Sequence, residues 1–140
     1  TFEFNGSLYN VFREIGFQFY GYNQIENIGK IGQVMVLVSV VLILIKSRRN
    51  KDLKSIFNCI VWLLLIYYAF ASIIHPWYII YLLTLSIFTN LRFPLIWSFL
   101  VVLSYYAYRD FGVVNESYWL IGFEYLVLLG AVIWDLRNIK

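Results

Sequence analysis

Five apolar runs separated by short polar breaks organise this 140-residue chain. The first extends from Gly29 to Ile45 and gives way to a charged stretch, Lys46 to Lys54. The second, Ser55 to Ile74, contains no charge. At about 1.5 Å per residue it crosses a hydrocarbon core of roughly 30 Å. Pro76 to Phe88 and Pro94 to Tyr108 are shorter and flank the break Thr89-Asn90-Leu91-Arg92-Phe93. Each proline suits the first turn of a helix, where its missing N–H costs nothing. Alone, each of these runs is marginal for a full span, so the pair is either two spans lengthened by interfacial residues or a re-entrant hairpin; two spans are the preferred reading. The last run, Trp119 to Trp134, ends in the polar tail Asp135 to Lys140.

Before the first run, Leu8, Val11, Phe12, Ile15 and Phe19 recur at helical spacing and mark one apolar face. Asn10, Arg13 and Glu14 occupy other faces. Asn5 or Ser7 is a candidate cap, Gly16 weakens the middle, and Gly21-Tyr22-Asn23 reads as a break. The pattern predicts an amphipathic helix that lies on a membrane surface or packs over the helical bundle.

Composition agrees with lipid as the solvent. The chain is 61% hydrophobic and 14% charged, whereas a soluble domain carries about 25% charged residues. Tyr and Trp gather near the ends of the apolar runs, where amphipathic rings settle at a bilayer interface. The predicted fold class is therefore an all-α polytopic membrane protein. About five transmembrane helices form a bundle over residues 29–140, and an outer amphipathic segment occupies residues 1–28. The opening at Thr1, with no basic-then-apolar leader, fits a piece of a longer protein; a small complete protein is the alternative.

Charge orients this arrangement. With the amino-terminal segment outside, five spans put Lys46, Arg48, Arg49, Lys51, Lys54, Arg92, Arg137 and Lys140 in the cytoplasm. That is eight of the eleven basic residues, as the positive-inside rule requires. The carboxy terminus is then cytoplasmic, in a multi-pass protein of the cell membrane.

Candidate chemistry is sparse. His75, the one histidine, begins His75-Pro76-Trp77-Tyr78 at the outer mouth of the second and third spans. It either serves in phosphate binding or proton transfer, or caps a helix end beside two interfacial aromatics. Arg13 and Glu14 either meet an anionic head group or form an exposed ion-pairing surface. Glu124 falls inside the last run, where an acid is expensive and turns toward the protein interior or a wet cavity. The lone Cys59 excludes an internal disulfide. No metal-ligand spacing, phosphate-binding glycine loop or nucleophilic triad is present, so no cofactor is expected. Nucleic acid is not an expected partner. Asn5-Gly6-Ser7 and Asn115-Glu116-Ser117 match the glycosylation acceptor pattern, one that recurs by chance.

Phe2-Glu3-Phe4-Asn5-Gly6-Ser7-Leu8-Tyr9, with Arg13-Glu14-Ile15-Gly16 and Gly21-Tyr22-Asn23, resembles a stretch of bacterial polyprenol-phosphate-dependent mannosyltransferases of the GT-C type, in particular Bacteroidetes-like ones. His75-Pro76-Trp77-Tyr78, Arg92-Phe93-Pro94 and Leu103-Ser104-Tyr105 resemble the later portion of the same proteins. The resemblance implies transfer of a sugar, mannose, from a polyprenol-phosphate donor to an acceptor on the outer face of the membrane. It also implies that this chain is the carboxy-terminal part, that the acidic catalytic base lies outside it, and that Glu3, Arg13, Glu14 and His75 line the outward cavity. Membrane lipid, the donor and the missing amino-terminal part are the implied partners. The rival expectation is a small non-catalytic subunit packed among other membrane subunits, because few polar groups lie within the spans.

Overall fold

The structure is a computed structural model that describes residues 3–47, 52–110 and 113–138, with the side chains of Lys46 and Ser47 excepted. Arg48, Arg49, Lys51 and Lys140, which weigh in the charge count above, lie outside the described residues. The described residues form helices, turns and one isolated backbone bridge. Among the described residues three helices are long and apolar enough to cross a membrane: α2 (Ile25–Ser47), α3 (Leu53–Phe70) and α6 (Tyr118–Asn138). The chain forms two compact units, one ending at Ile74 and the other starting at His75.

In the first unit, α1 (Leu8–Tyr20) precedes α2 and α3. The expected cap role of Asn5 or Ser7 is not realised. Ser7 precedes the helix, but its hydroxyl donates to the carbonyl of Ala69 at 2.9 Å, and no side chain caps α1. Asn5 instead takes a left-handed conformation, φ 52°, which asparagine tolerates better than most residues. The helix stops at Gly21, whose φ of 75° ends it in the left-handed cap that glycine adopts without a Cβ clash. Gly16 has a packing reason, since a Cβ there would come within 3.1 Å of the Gln24 side chain.

The helical periodicity of α1 is realised with its apolar stripe turned outward. Tyr9, Asn10 and Gly16 are buried, while Leu8, Val11, Phe12, Ile15 and Phe19 are all exposed, Phe19 at 78%. The exposed faces of α2 and α3 are equally apolar, with Leu37 at 65% and Leu53 at 64%. So much contiguous apolar surface belongs in hydrocarbon rather than water. Where α2 and α3 meet, Gly32 has no room for a side chain, because a Cβ would lie 2.9 Å from Phe70 Cβ.

The second apolar run was expected to stay helical to Ile74; α3 ends at Phe70. Ala71 turns extended, and residues 72–74 pair with the amino-terminal segment. Phe4 N–H donates to Ser72 O at 3.0 Å, and Ile74 N–H donates to Phe4 O at 2.8 Å. Phe4 and Ile74 are fully buried there. A backbone that leaves a helix in apolar surroundings needs such replacement partners.

In the second unit, Pro76–Tyr78 form a single 3-10 turn that runs into α4 (Ile79–Ser86). Next, α5 (Phe93–Leu100) continues without interruption into a 3-10 helix, Val101–Tyr108. At about 2.0 Å per 3-10 residue and 1.5 Å per α residue, Phe93–Tyr108 reaches about 28 Å, while Pro76–Ser86 reaches only about 18 Å. Both prolines sit in the first turn of their elements, as the sequence predicts.

The core of this unit holds Ile79, Leu82, Phe93, Trp97, Val101 and Leu128. Asp135, assigned above to a polar tail, is instead 4% exposed within α6. Its Oδ2 accepts the backbone N–H groups of Arg92 at 2.7 Å and Phe93 at 2.8 Å, which caps α5 from another helix. The tail reading failed because this partner lies 42 residues away in sequence. Asp135→Ala is expected to lower stability by about 1–2 kcal/mol by orphaning the buried Phe93 donor and the partly buried Arg92 donor. Thermal unfolding in detergent checks this, with Asp135→Asn keeping most of the loss back.

Candidate functional site

Polar side chains of the first unit converge on Glu3. The segment before α1 delivers it, pinned by the Phe4 bridge and by Ser7 against the end of α3. Tyr9, the second residue of α1, donates its hydroxyl to Glu3 Oε1 at 2.8 Å. Arg13, four residues later on the same face, places Nη1 on Glu3 Oε2, and its Nη2 reaches Glu14 Oε1 at 3.1 Å. Asn23, in the break between α1 and α2, donates Nδ2 to Glu3 Oε1 at 2.8 Å and to the Tyr9 oxygen at 3.3 Å. Glu3 and Arg13 are mostly buried, whereas the Glu14 side chain is 61% exposed.

The electrostatics follow from these partners. Burial pushes the Glu3 carboxyl up, but the hydrogen bonds from Tyr9, Arg13 and Asn23 and the Arg13 charge outweigh it. The net result holds Glu3 below its ordinary value. Burial, reinforced by the neighbouring Glu3 charge and opposed by Asn23, pushes the Tyr9 phenol up to about 12. Tyr9 therefore keeps its proton and remains a donor to the carboxylate.

Of the residues singled out in sequence, Glu3, Arg13 and Glu14 are brought together. His75 opens the second unit. Its ring stacks on Trp77 with centroids 4.2 Å apart and meets Tyr78 edge-on at 5.5 Å. The extended backbone at His75 is the conformation that a following proline favours. Burial lowers the His75 pKa, so the neutral imidazole predominates at neutral pH. A neutral ring of this kind both donates and accepts. Among the described residues no group of three His, Cys, Asp or Glu is placed to hold a metal ion.

Tyr9 and Asn23 were not picked out from the sequence as members of this site. The available signal was the four-residue spacing of Tyr9 and Arg13; nothing local announces Asn23. In the second unit, Glu124 is 1% exposed and its Oε1 accepts the indole N–H of Trp97 at 2.8 Å.

The lowered Glu3 value has a definite sign. A carboxylate held below its ordinary value stabilises the fold above that value, and the contribution is lost as pH falls through the folded-state value. Glu3→Gln is expected to cost about 1–3 kcal/mol at neutral pH by leaving Arg13 without its buried partner. It should also flatten the acid limb of stability below about pH 4.5, the ordinary glutamate value. Denaturation of both proteins across that range measures this. Comparison of the chain with protein-family models, with curated proteins and with solved structures finds no match.

Proposed function

We propose that this chain is the carboxy-terminal membrane portion of a glycosyltransferase that moves mannose from a polyprenol-phosphate donor to an acceptor on the outer face of the membrane. One observation carries the reading. Glu3, Ser7, Tyr9, Arg13 and Asn23, scattered through the stretch that resembles such enzymes, engage one another or the end of α3 in a single patch. In this reading the amino-terminal segment lies outside, the carboxy terminus is cytoplasmic and the chain crosses five times. The about 28 Å reach of Phe93–Tyr108 supports a fourth crossing.

A lipid-phosphate leaving group gains negative charge as the glycosidic bond breaks, and donors set against it in a water-poor cleft stabilise that charge. Arg13 offers Nη2, whose partner Glu14 is exposed and free to swing away. A phosphate replaces that carboxylate on the guanidinium while Glu3 holds the other nitrogen in place. His75, neutral at rest, supplies a ring N–H to a phosphate or acceptor oxygen. The catalytic base belongs to the missing amino-terminal part.

A second reading, a non-catalytic membrane subunit, draws on the same cluster. Arg13 is already balanced by two carboxylates, so the patch also works as a fastening with no ligand. Transfer from polyprenol-phosphate-mannose by membranes containing the full-length protein separates the two. His75→Ala is expected to lower the rate about 10²-fold or more with the protein still folded. Unchanged transfer in both His75→Ala and Arg13→Ala would overturn the enzyme reading.

A further inference from the structure

Gln33 is a polar side chain in an apolar helix. It lies eight residues after the start of α2, is exposed, and makes no side-chain hydrogen bond to the other described residues. In hydrocarbon an amide left so is costly, unless the polar part of a lipid bonds it. Gln33 stands on the wall of a groove of about 390 Å³ between α2 and α3, and apart from it and Tyr67 the lining is apolar.

Glycines shape this groove. Gly32 packs against Phe70 and leaves no room for a side chain, whereas a Cβ on Gly29 would meet nothing within 4 Å. The groove begins near the end of both helices, since Gly29 is four residues into α2 and Phe70 is the last residue of α3. Along α2 it reaches from Gly29 to Leu37, about 12 Å at 1.5 Å per residue. That is close to the depth of one leaflet, about half of a roughly 30 Å hydrocarbon core.

Charge marks the end of the groove that opens at the helix start. Glu26 and Lys30 precede Gln33 and Leu37 by seven residues each, two helical turns, and so share their stripe of α2. Lys30 Nζ meets Glu26 Oε1 at 2.6 Å, and the two side chains are 65% and 79% exposed. An exposed pair of this kind is weak, so each member exchanges its partner readily. One cation beside one anion complements a head group that carries both charges. Gln33 lies about 4.5 Å deeper than Lys30 along the helix axis, where the ester carbonyls below such a head need donors and the amide supplies two N–H groups.

We propose that this groove binds one phospholipid with a phosphoethanolamine head. The phosphate bonds Lys30, the ammonium bonds Glu26, an ester carbonyl accepts from Gln33, and an acyl chain lies over Gly29 and Gly32 toward Leu37. A purely anionic head is repelled by Glu26, and a choline head has no N–H to give that carboxylate. The site goes beyond the sugar-transfer reading and does not depend on it.

The test uses the full-length protein in phosphatidylcholine liposomes that carry a phosphatidylethanolamine with a diazirine in one acyl chain. After illumination, peptide mass spectrometry is expected to place the adducts chiefly on residues 33–37 and on Tyr67. Unlabelled phosphatidylethanolamine should suppress them several-fold better than phosphatidylglycerol or further phosphatidylcholine. Gly29→Leu, which fills open space and raises helix propensity, is expected to cut the adducts several-fold with the circular-dichroism spectrum unchanged. Replacing both Glu26→Gln and Lys30→Gln, outside the groove, is expected to erase the head-group preference. Adducts spread evenly over the exposed faces of α2 and α3, equal competition by the three lipids, or labelling untouched by Gly29→Leu would overturn the proposal. So would cross-links from a photoreactive maleimide on Leu37→Cys to another part of the chain or to a second copy, which would show protein in the groove.

Discussion

Hydrocarbon offers no hydrogen bonds, so every polar group carried into it has to find its partner within the protein. That constraint explains most of the tertiary contacts described here. Where α3 stops before its apolar run does, the loosened backbone is taken up by Phe4. The first backbone donors of α5 are taken up by Asp135 from α6. Glu124 in α6 is matched to the indole of Trp97. The few polar residues among the apolar ones thus join segments that apolar packing alone would leave weakly specified, since lipid is as good a neighbour as leucine.

The same reasoning accounts for α1. Its polar and small side turns toward the protein, where Tyr9 and Arg13 meet Glu3, and its apolar side turns away. In water that arrangement is inverted; against lipid it is the favourable one. Glu3 sits at the centre because it can accept several donors at once, from a phenol, a guanidinium and an amide. Arg13 is thereby balanced by two carboxylates, the mostly buried Glu3 and the exposed Glu14.

The helical character of the chain and its long apolar helices were legible in its sequence. Uninterrupted apolar runs specify helices in hydrocarbon, because no other open structure closes its own hydrogen bonds there. The breaks at Gly21 and before Pro76 and Pro94 were legible for equally local reasons, a left-handed cap and a ring that lacks an N–H. Arg13 and Glu14 were legible as charges in a suggestive place, and Glu124 as an acid too deep to face lipid.

Tertiary structure alone decided which groups meet. Asn23 joins Glu3 from 20 residues away, Asp135 reaches a helix start 42 residues back, and Ser7 spans 62 residues to Ala69. No periodicity encodes such pairs, because each depends on where two elements come to rest and on which donors that leaves unfilled. The outward turn of α1 is of the same kind: its sequence specifies two unlike faces, and only packing against α2 and α3 settles which of them is exposed.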